Sequence, residues 1–173
     1  MKIWLFIIFV LSVSLAATIA IIPQSRERER IATMAQIEFE NYRFSDIGVN
    51  GVANMMIATS GRHFDDREEF SNPVLMRQSG TYIDSISANS GIYQNDILTL
   101  NGNISYYDSL GRMLRTEQAI YSKNEALLKG GGGFELESAE GRMRGSNFEV
   151  DMQSRVIKAK DIEATVETDV AKM

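Results

Sequence analysis

The chain has 173 residues, a length that fits one domain with an appendage. It has no cysteine, which excludes disulfides, thiolate chemistry and a Cys-ligated zinc site. Its formal net charge is −5, and no basic stripe interleaved with aromatics offers nucleic acid a surface.

The first element is apolar. Residues 3–22 carry no charge, and at 1.5 Å rise per residue such a helix spans about 30 Å, the thickness of a bilayer's hydrocarbon core. Trp4 stands where an interfacial aromatic belongs, and Pro23 stops the run. The expectation is a transmembrane anchor over residues 1–25. The competing reading is a cleaved signal peptide with Lys2 as its charged head and Ser14-Leu15-Ala16 as its cleavage site, but the apolar run continues six residues past Ala16. Orientation stays open on charge alone, because Arg26, Arg28 and Arg30 would by the positive-inside rule hold the following domain in the cytoplasm. Residues 26–36 read as a linker.

From Ile37 onward the pattern is alternation, which signals strands. Leu98, Leu100, Gly102, Ile104 and Tyr106 share one face of a strand. Ala126, Leu128, Gly130, Gly132, Phe134 and Leu136 share another, and Ile162, Ala164 and Val166 a third. The chain also repeats itself. The stretch from Ala58 aligns without gaps on the stretch from Ala88, pairing Gly61 with Gly91, Phe70 with Leu100 and Val74 with Ile104. A third unit matches Tyr121 to Tyr93, Leu128 to Leu100 and Phe134 to Tyr106, and a looser fourth starts at Ser146. A spacing of roughly 28–30 residues is that of stacked structural repeats. Each unit reads as two strands around a polar turn, giving an antiparallel stack or sandwich with an open edge at each end.

No residue pattern marks an enzyme. His63 is the single histidine and takes the place of Tyr93 in the next repeat, so it reads as structural. Lys129 followed by Gly130–Gly133 has the wrong order for a phosphate loop and leads into a strand, which points to a bulge or a close backbone contact. Asp65, Asp66, Glu68 and Glu69 lack the spacing of a calcium loop and read as a solvated turn. The nine methionines serve mainly as core filler, with a soft surface for an apolar ligand as the second reading. No cofactor and no metal is expected.

These passages, in their order, resemble the LptC family, the membrane-anchored periplasmic subunits of lipopolysaccharide export. The resemblance rests on the N-terminal apolar segment, a first strand pair at Ile37–Phe44, the Ala88, Gly91, Tyr93 unit, the Leu98-Thr99-Leu100-Asn101-Gly102 strand and the late Gly141–Gly145 segment. It covers residue 1 to about 167, and departs from the family at the long glycine run 130–133 and in the charge balance around the anchor. It implies an all-β, twisted, boat-shaped antiparallel jellyroll over residues 37–167, with a tail at 168–173. The resemblance implies a groove between two facing sheets that holds acyl chains. It implies too an inner-membrane ABC transporter of the LptB-LptF-LptG type that delivers the lipid, and an LptA-like bridge protein that takes it on. It therefore puts the domain in the periplasm of a Gram-negative bacterium. The large apolar residues expected between the sheets are Phe39, Phe44, Leu100, Ile104, Tyr121, Phe134 and Phe148. The strand around Asp161–Glu167, with Ile162, Ala164 and Val166 on its apolar face, is expected to be an open edge for the partner. Two alternatives stand beside this: the soluble bridge protein with a cleaved signal, and a tethered structural β-solenoid without ligand. A homodimer is left open.

Overall fold

The computed structural model describes residues 35–48 and 52–166. The anchor expected at residues 1–25 and the tail at 168–173 lie outside the described residues. Among them there are eleven strands and no helix. The strands are β1 (Ile37–Ile47), β2 (Val52–His63), β3 (Glu68–Ser71), β4 (Val74–Ser79), β5 (Tyr82–Ser87), β6 (Ser90–Gln94), β7 (Ile97–Asp108), β8 (Met113–Ser122), β9 (Leu127–Ser138), β10 (Gly141–Asp151) and β11 (Val156–Val166). All pair antiparallel in one sheet.

The pairing is simpler than eleven strands suggest. β3 and β4 lie on β2 in one unbroken register, with Ser60 opposite Ser71 and Ile57 opposite Val74. β5 and β6 continue that pattern, with Val74 opposite Ser87 and Ser71 opposite Ser90. Each of these pairs is one long strand broken at a corner, at Asn72-Pro73 and at Ala88-Asn89. The sheet is therefore an up-and-down meander of nine long strands, ended by β1 on one side and β11 on the other.

Almost every long strand bends at its middle, and the residue types explain where. Asn41, Asn72, Asn103, Asn147 and Asp161 have φ of 54°, 49°, 46°, 51° and 52°, and Gly102 has 76°. Asn, Asp and Gly enter the left-handed region at least cost. The pairing slips there, between Asn101 and Ile104, between Thr116 and Ile120, and between Ser146 and Phe148. Such bulges bend and twist a strand. Side chains tie neighbouring corners: Asn72 Nδ2 donates to Thr59 Oγ1 at 3.3 Å, and Ser146 Oγ to Asp161 Oδ2 at 2.6 Å. The segment Ile37–Phe44, expected as a strand pair, is one strand bent in this way at Asn41 and running on to Ile47.

The row of corners is a spine from which two walls fold toward each other. One wall contains β3 and β6, the other β4 and β5, and the longer strands cross from one to the other. Contacts between the walls show that they face. The Phe134 and Phe148 rings meet edge-on at 5.5 Å, Arg112 Nη1 donates to the Arg155 carbonyl at 3.1 Å, and Lys123 Nζ reaches Asp46 Oδ2 at 3.3 Å. The inner rows between the walls form the core. Leu98, Leu100, Ile104, Tyr106, Leu114, Leu128 and Val150 are all fully buried, and each such aliphatic side chain stabilises the fold by roughly 1.5–3 kcal/mol. Small residues let large ones nest: Phe39 packs on Gly61 and Phe148 on Gly130. The repeat of 28–30 residues is two long strands with their shared corner pattern.

Candidate functional site

The space between the walls is not filled evenly. Around Leu114, Leu128, Phe134, Phe148 and Val150 it is filled by buried side chains. Toward β1 the walls part around a cavity of about 280 Å³. Its floor comes from inward positions of both walls: Tyr42 and Phe44 of β1, Met56 of β2, Phe70 of β3, Leu75 of β4, Ile86 of β5, Leu98 of β7 and Tyr121 of β8. Met152, in the turn after β10, also borders the space and is itself buried. Alternation within each strand puts these side chains on one face.

Charge stands only around the floor. Glu68, Arg77, Asp84 and Lys123 border the cavity, and each is already engaged. Glu68 Oε1 lies 3.2 Å from His63 Nδ1, Lys123 pairs with Asp46, and Arg77 Nη1 lies 3.5 Å from Asp84 and 3.4 Å from the Met152 carbonyl. Asp84 is buried, and desolvation pushes its carboxyl above the usual range although Tyr106 Oη donates to it at 2.9 Å and Arg77 lies beside it. Burial also raises the phenols of Tyr42, Tyr121 and Tyr106, with Glu68 adding to the effect at Tyr42. The Tyr93 phenol is pushed up to about 12 by burial and by its hydrogen bond to Asp96. No nucleophile stands beside a free base, and no cluster of His, Asp or Glu among the described residues is arranged to hold a metal. The arrangement offers an apolar slot with a charged margin, which suits an amphiphile.

Phe44 and Tyr121, of the expected groove residues, border the cavity. Phe44 is 46% exposed, because among the described residues β1 is a sheet edge, with no strand pairing its outer side. Phe39 is half-buried, stacked on Tyr42 at 4.8 Å. Leu100, Ile104, Phe134 and Phe148 lie in the dry core. Sequence reasoning missed Tyr42, Met56, Leu75 and Ile86. Their alternation with Phe44, Arg77 and Asp84 was the available signal, but Arg77 and Asp84 fall at inward positions and broke the apolar pattern. His63 faces Glu68 as a side-chain partner, and Gly130 meets the Phe148 ring, so the glycine run includes a close contact. The last strand is longer than expected, starting at Val156, and it is the sheet's edge with Ile162 half exposed.

A family model described as lipopolysaccharide-assembly, LptC-related, matches residues 3–163. The chain belongs to the LptC family. No curated protein matches. The antiparallel all-β sheet is consistent with the jellyroll of LptC-family proteins. Membership implies a role in lipopolysaccharide transport and a place in the Gram-negative envelope. The LptC family is one of transport components rather than of enzymes.

Proposed function

We propose that this LptC-family domain takes acyl chains of lipopolysaccharide between its two walls, starting at the cavity beside β1. In this reading residues 1–25 anchor the chain in the inner membrane and residues 26–36 link the anchor to a periplasmic jellyroll at 37–167. The lipid comes from an ABC transporter of the LptB-LptF-LptG type and leaves toward an LptA-like bridge protein across the edge at Ile162, Ala164 and Val166. The observation that carries the reading is the apolar floor of the cavity, open at the same end as β1. Each methylene moved from water into such a slot gains about 0.8 kcal/mol, so a single acyl chain supplies ample driving force without any charged clamp. The cations at the margin, Arg77 and Lys123, are paired with the protein's own carboxylates, which agrees with recognition through the chains.

The dry packing of Leu100, Ile104, Phe134 and Phe148 favours a second reading, a ligand-free structural stack. Photo-crosslinking separates the two. A benzophenone amino acid at Phe44 or Tyr121, irradiated in cells, is expected to give a lipopolysaccharide adduct, while one at the outward-facing Ile120 gives none. Equal yields at all three positions, or none at any, would leave the structural reading standing. An active alkaline phosphatase fusion at the C-terminus is the expected companion result, and an inactive one would place the domain in the cytoplasm.

A further inference from the structure

On the β4–β5 wall one inward row is polar. Pairing sets Asp46, Asn54, Arg77, Asp84 and Asp108 side by side across β1, β2, β4, β5 and β7. Alternation puts this row on the same face as Phe44, Met56, Leu75, Ile86 and Tyr106, two residues nearer the free margin of the wall. Polar side chains on an inward row are costly unless something answers them. The turns of the other wall do. Lys123, in the turn after β8, reaches Asp46 Oδ2 at 3.3 Å. Arg77 Nη1 donates to the Met152 carbonyl at 3.4 Å. Arg112, in the turn after β7, donates through Nη1 to the Arg155 carbonyl at 3.1 Å, and the Arg155 guanidinium lies over the Tyr82 ring. Together these contacts form a seam that joins the free margins of the two walls.

The seam is weak at one end and strong at the other. The Lys123–Asp46 pair stands beside the cavity with side chains 39% and 40% exposed, and such a pair contributes little. Farther from β1 the seam is buried, with Asp84 and Asp108 at 7% and 3% exposure. Arg112 Nε and Nη2 hold Asp108 Oδ2 at 2.7 and 2.6 Å. Asp108 Oδ1 accepts from the Leu110 and Arg112 backbone N–H groups at 3.0 and 3.1 Å. Tyr106 Oη donates to Asp84 Oδ1 at 2.9 Å. A buried pair with its other hydrogen bonds met is costly to break from one side. Arg77 stands between the two ends. It borders the cavity, and its contacts to Asp84 and Met152, at 3.5 and 3.4 Å, are long.

The chain itself closes the other side of the slot, because the strands cross the spine there. A molecule with apolar chains in the slot and a polar head in water can place that head only at the free margins, where the seam runs. To move from the cavity beside β1 toward β11 it must pass the contacts of Met152 and Arg155. We propose that the seam is a gate, held shut by Asp108 and Arg112 and opened from the cavity side at Arg77. This rests on acyl chains occupying the cavity, as proposed for its function. Shut, the gate stops the chains at Met152 and leaves Phe134 and Phe148 packed on each other. Open, it frees the turn Met152–Arg155 and lets the two walls part along the stretch that is now dry. An incoming chain meets Arg77 first, since that side chain both borders the cavity and holds the Met152 carbonyl.

The test uses the full chain in spheroplasts, with Thr81→Cys and Gln153→Cys as its only thiols. Both positions are exposed, in turns on opposite sides of the seam. Bridging them with a short thiol-cleavable reagent keeps the gate shut. A benzophenone amino acid at Phe44 is expected to keep its lipopolysaccharide adduct in the bridged chain. One at Met143, in the inner row of Leu114 and Leu136 beyond the gate, is expected to lose it and to regain it on reduction. Asp108→Asn with Arg112→Met removes both buried charges together and leaves neither alone. In that variant the Met143 adduct is expected to rise several-fold with the Phe44 adduct unchanged. Spin labels on the same two thiols, in purified chain without lipid, are expected to give a longer and broader distance than in the chain that keeps Asp108 and Arg112. Undiminished Met143 adducts in the bridged chain overturn the gate, and an unchanged label distance in the double variant overturns the seam as what holds the margins. Absence of the Phe44 adduct in the unbridged chain overturns the lipid reading and the gate's cargo with it. The label distances need no lipid, so they tell that failure from a seam that does not hold the walls.

Discussion

Gly130 gives the sharpest test of how the two walls are held together. A Cβ there would strike the Phe148 ring and stand 2.8 Å from the Gln118 carbonyl oxygen. The ring can tilt, but it is 2% exposed and already packed edge-on against Phe134. The carbonyl belongs to the backbone of β8 and cannot move without shifting that strand. Gly130→Ala is an overpacking change with little room to relax, and we expect it to cost about 2 kcal/mol. The same run supplies its control. At Gly132 a Cβ would meet nothing within 4 Å, so Gly132→Ala is expected to be neutral or to stabilise by roughly 0.4–1 kcal/mol through the unfolded chain. Urea titration followed by circular dichroism measures both, read as a shift of midpoint at constant slope. Phe148→Leu in the Gly130→Ala background is expected to cost less than the two single changes added together, because the new methyl then has space. If Gly130→Ala and Gly132→Ala have equal midpoints, the nesting of Phe148 on Gly130 does not hold the walls.

Other expectations follow from the same packing. Leu100→Asp or Ile104→Asp leaves an unpaired carboxylate in a site that is at most 1% exposed, and either should unfold the domain at neutral pH, as loss of the strand signal in circular dichroism will show. Asp84 has its carboxyl pKa raised mainly by burial. As pH rises from about 3 the unfolded chain ionises first, so Asp84 subtracts stability until its own raised pKa is passed. The melting temperature of Asp84→Asn relative to the native chain should therefore climb between acid and neutral pH, and a flat difference would refute the assignment. Thr165→Pro in β11 removes a main-chain donor at an exposed position near the end of the sheet's last strand, away from Ile157 and Ala159, which pack on the core. It should abolish pull-down of the bridge protein while leaving the melting temperature nearly unchanged.

The sequence was legible where one local rule applied without competition. Alternation found Leu98, Leu100, Ile104 and Tyr106 on one face because β7 keeps that alternation on both sides of its Gly102 corner. The repeats were visible because each is two long strands bent at equivalent places, so Phe70 and Leu100 both stand two residues before a left-handed corner. The corner column was not legible as such. Asn41, Asn72, Asn103 and Asn147 look like turn residues, and an Asn inside a strand reads as an interruption until the pairing shows it stacked on others. β1 was divided for that reason, and β11 was started five residues late, at the corner residue Asp161. The cavity was harder still. It depends on which inward positions in the two walls fail to meet, and that is a relation between strands far apart in sequence, such as Phe44 and Tyr121.

The reason the walls part at the β1 end lies in one inner row. Moving along the β3–β6 wall, its positions are His63, Glu68, Tyr93, Leu98, Tyr121, Leu128 and Val150. Leu128 and Val150 are fully buried in the core, whereas Tyr93, Leu98 and Tyr121 border the cavity. At His63 and Glu68 no such packing forms, because the hydrogen-bonded pair at 3.2 Å keeps its polar heads partly exposed and the facing Phe44, Met56 and Leu75 border the cavity. On this argument the cavity persists because a carboxylate holds a position that packing would otherwise fill. Glu68→Leu should let the row close. Stability should rise by about 1 kcal/mol, the gain from burying part of a leucine. Lipid adducts from Phe44 should fall several-fold, because the lipid now competes with the protein's own side chains for the same surface, a trade of function for stability. Glu68→Gln keeps a head that needs water and should behave like the native chain in both assays. Unchanged stability together with unchanged or increased adducts in Glu68→Leu would mean that Glu68 is a surface group and that the cavity owes its shape to the free edge of β1 alone.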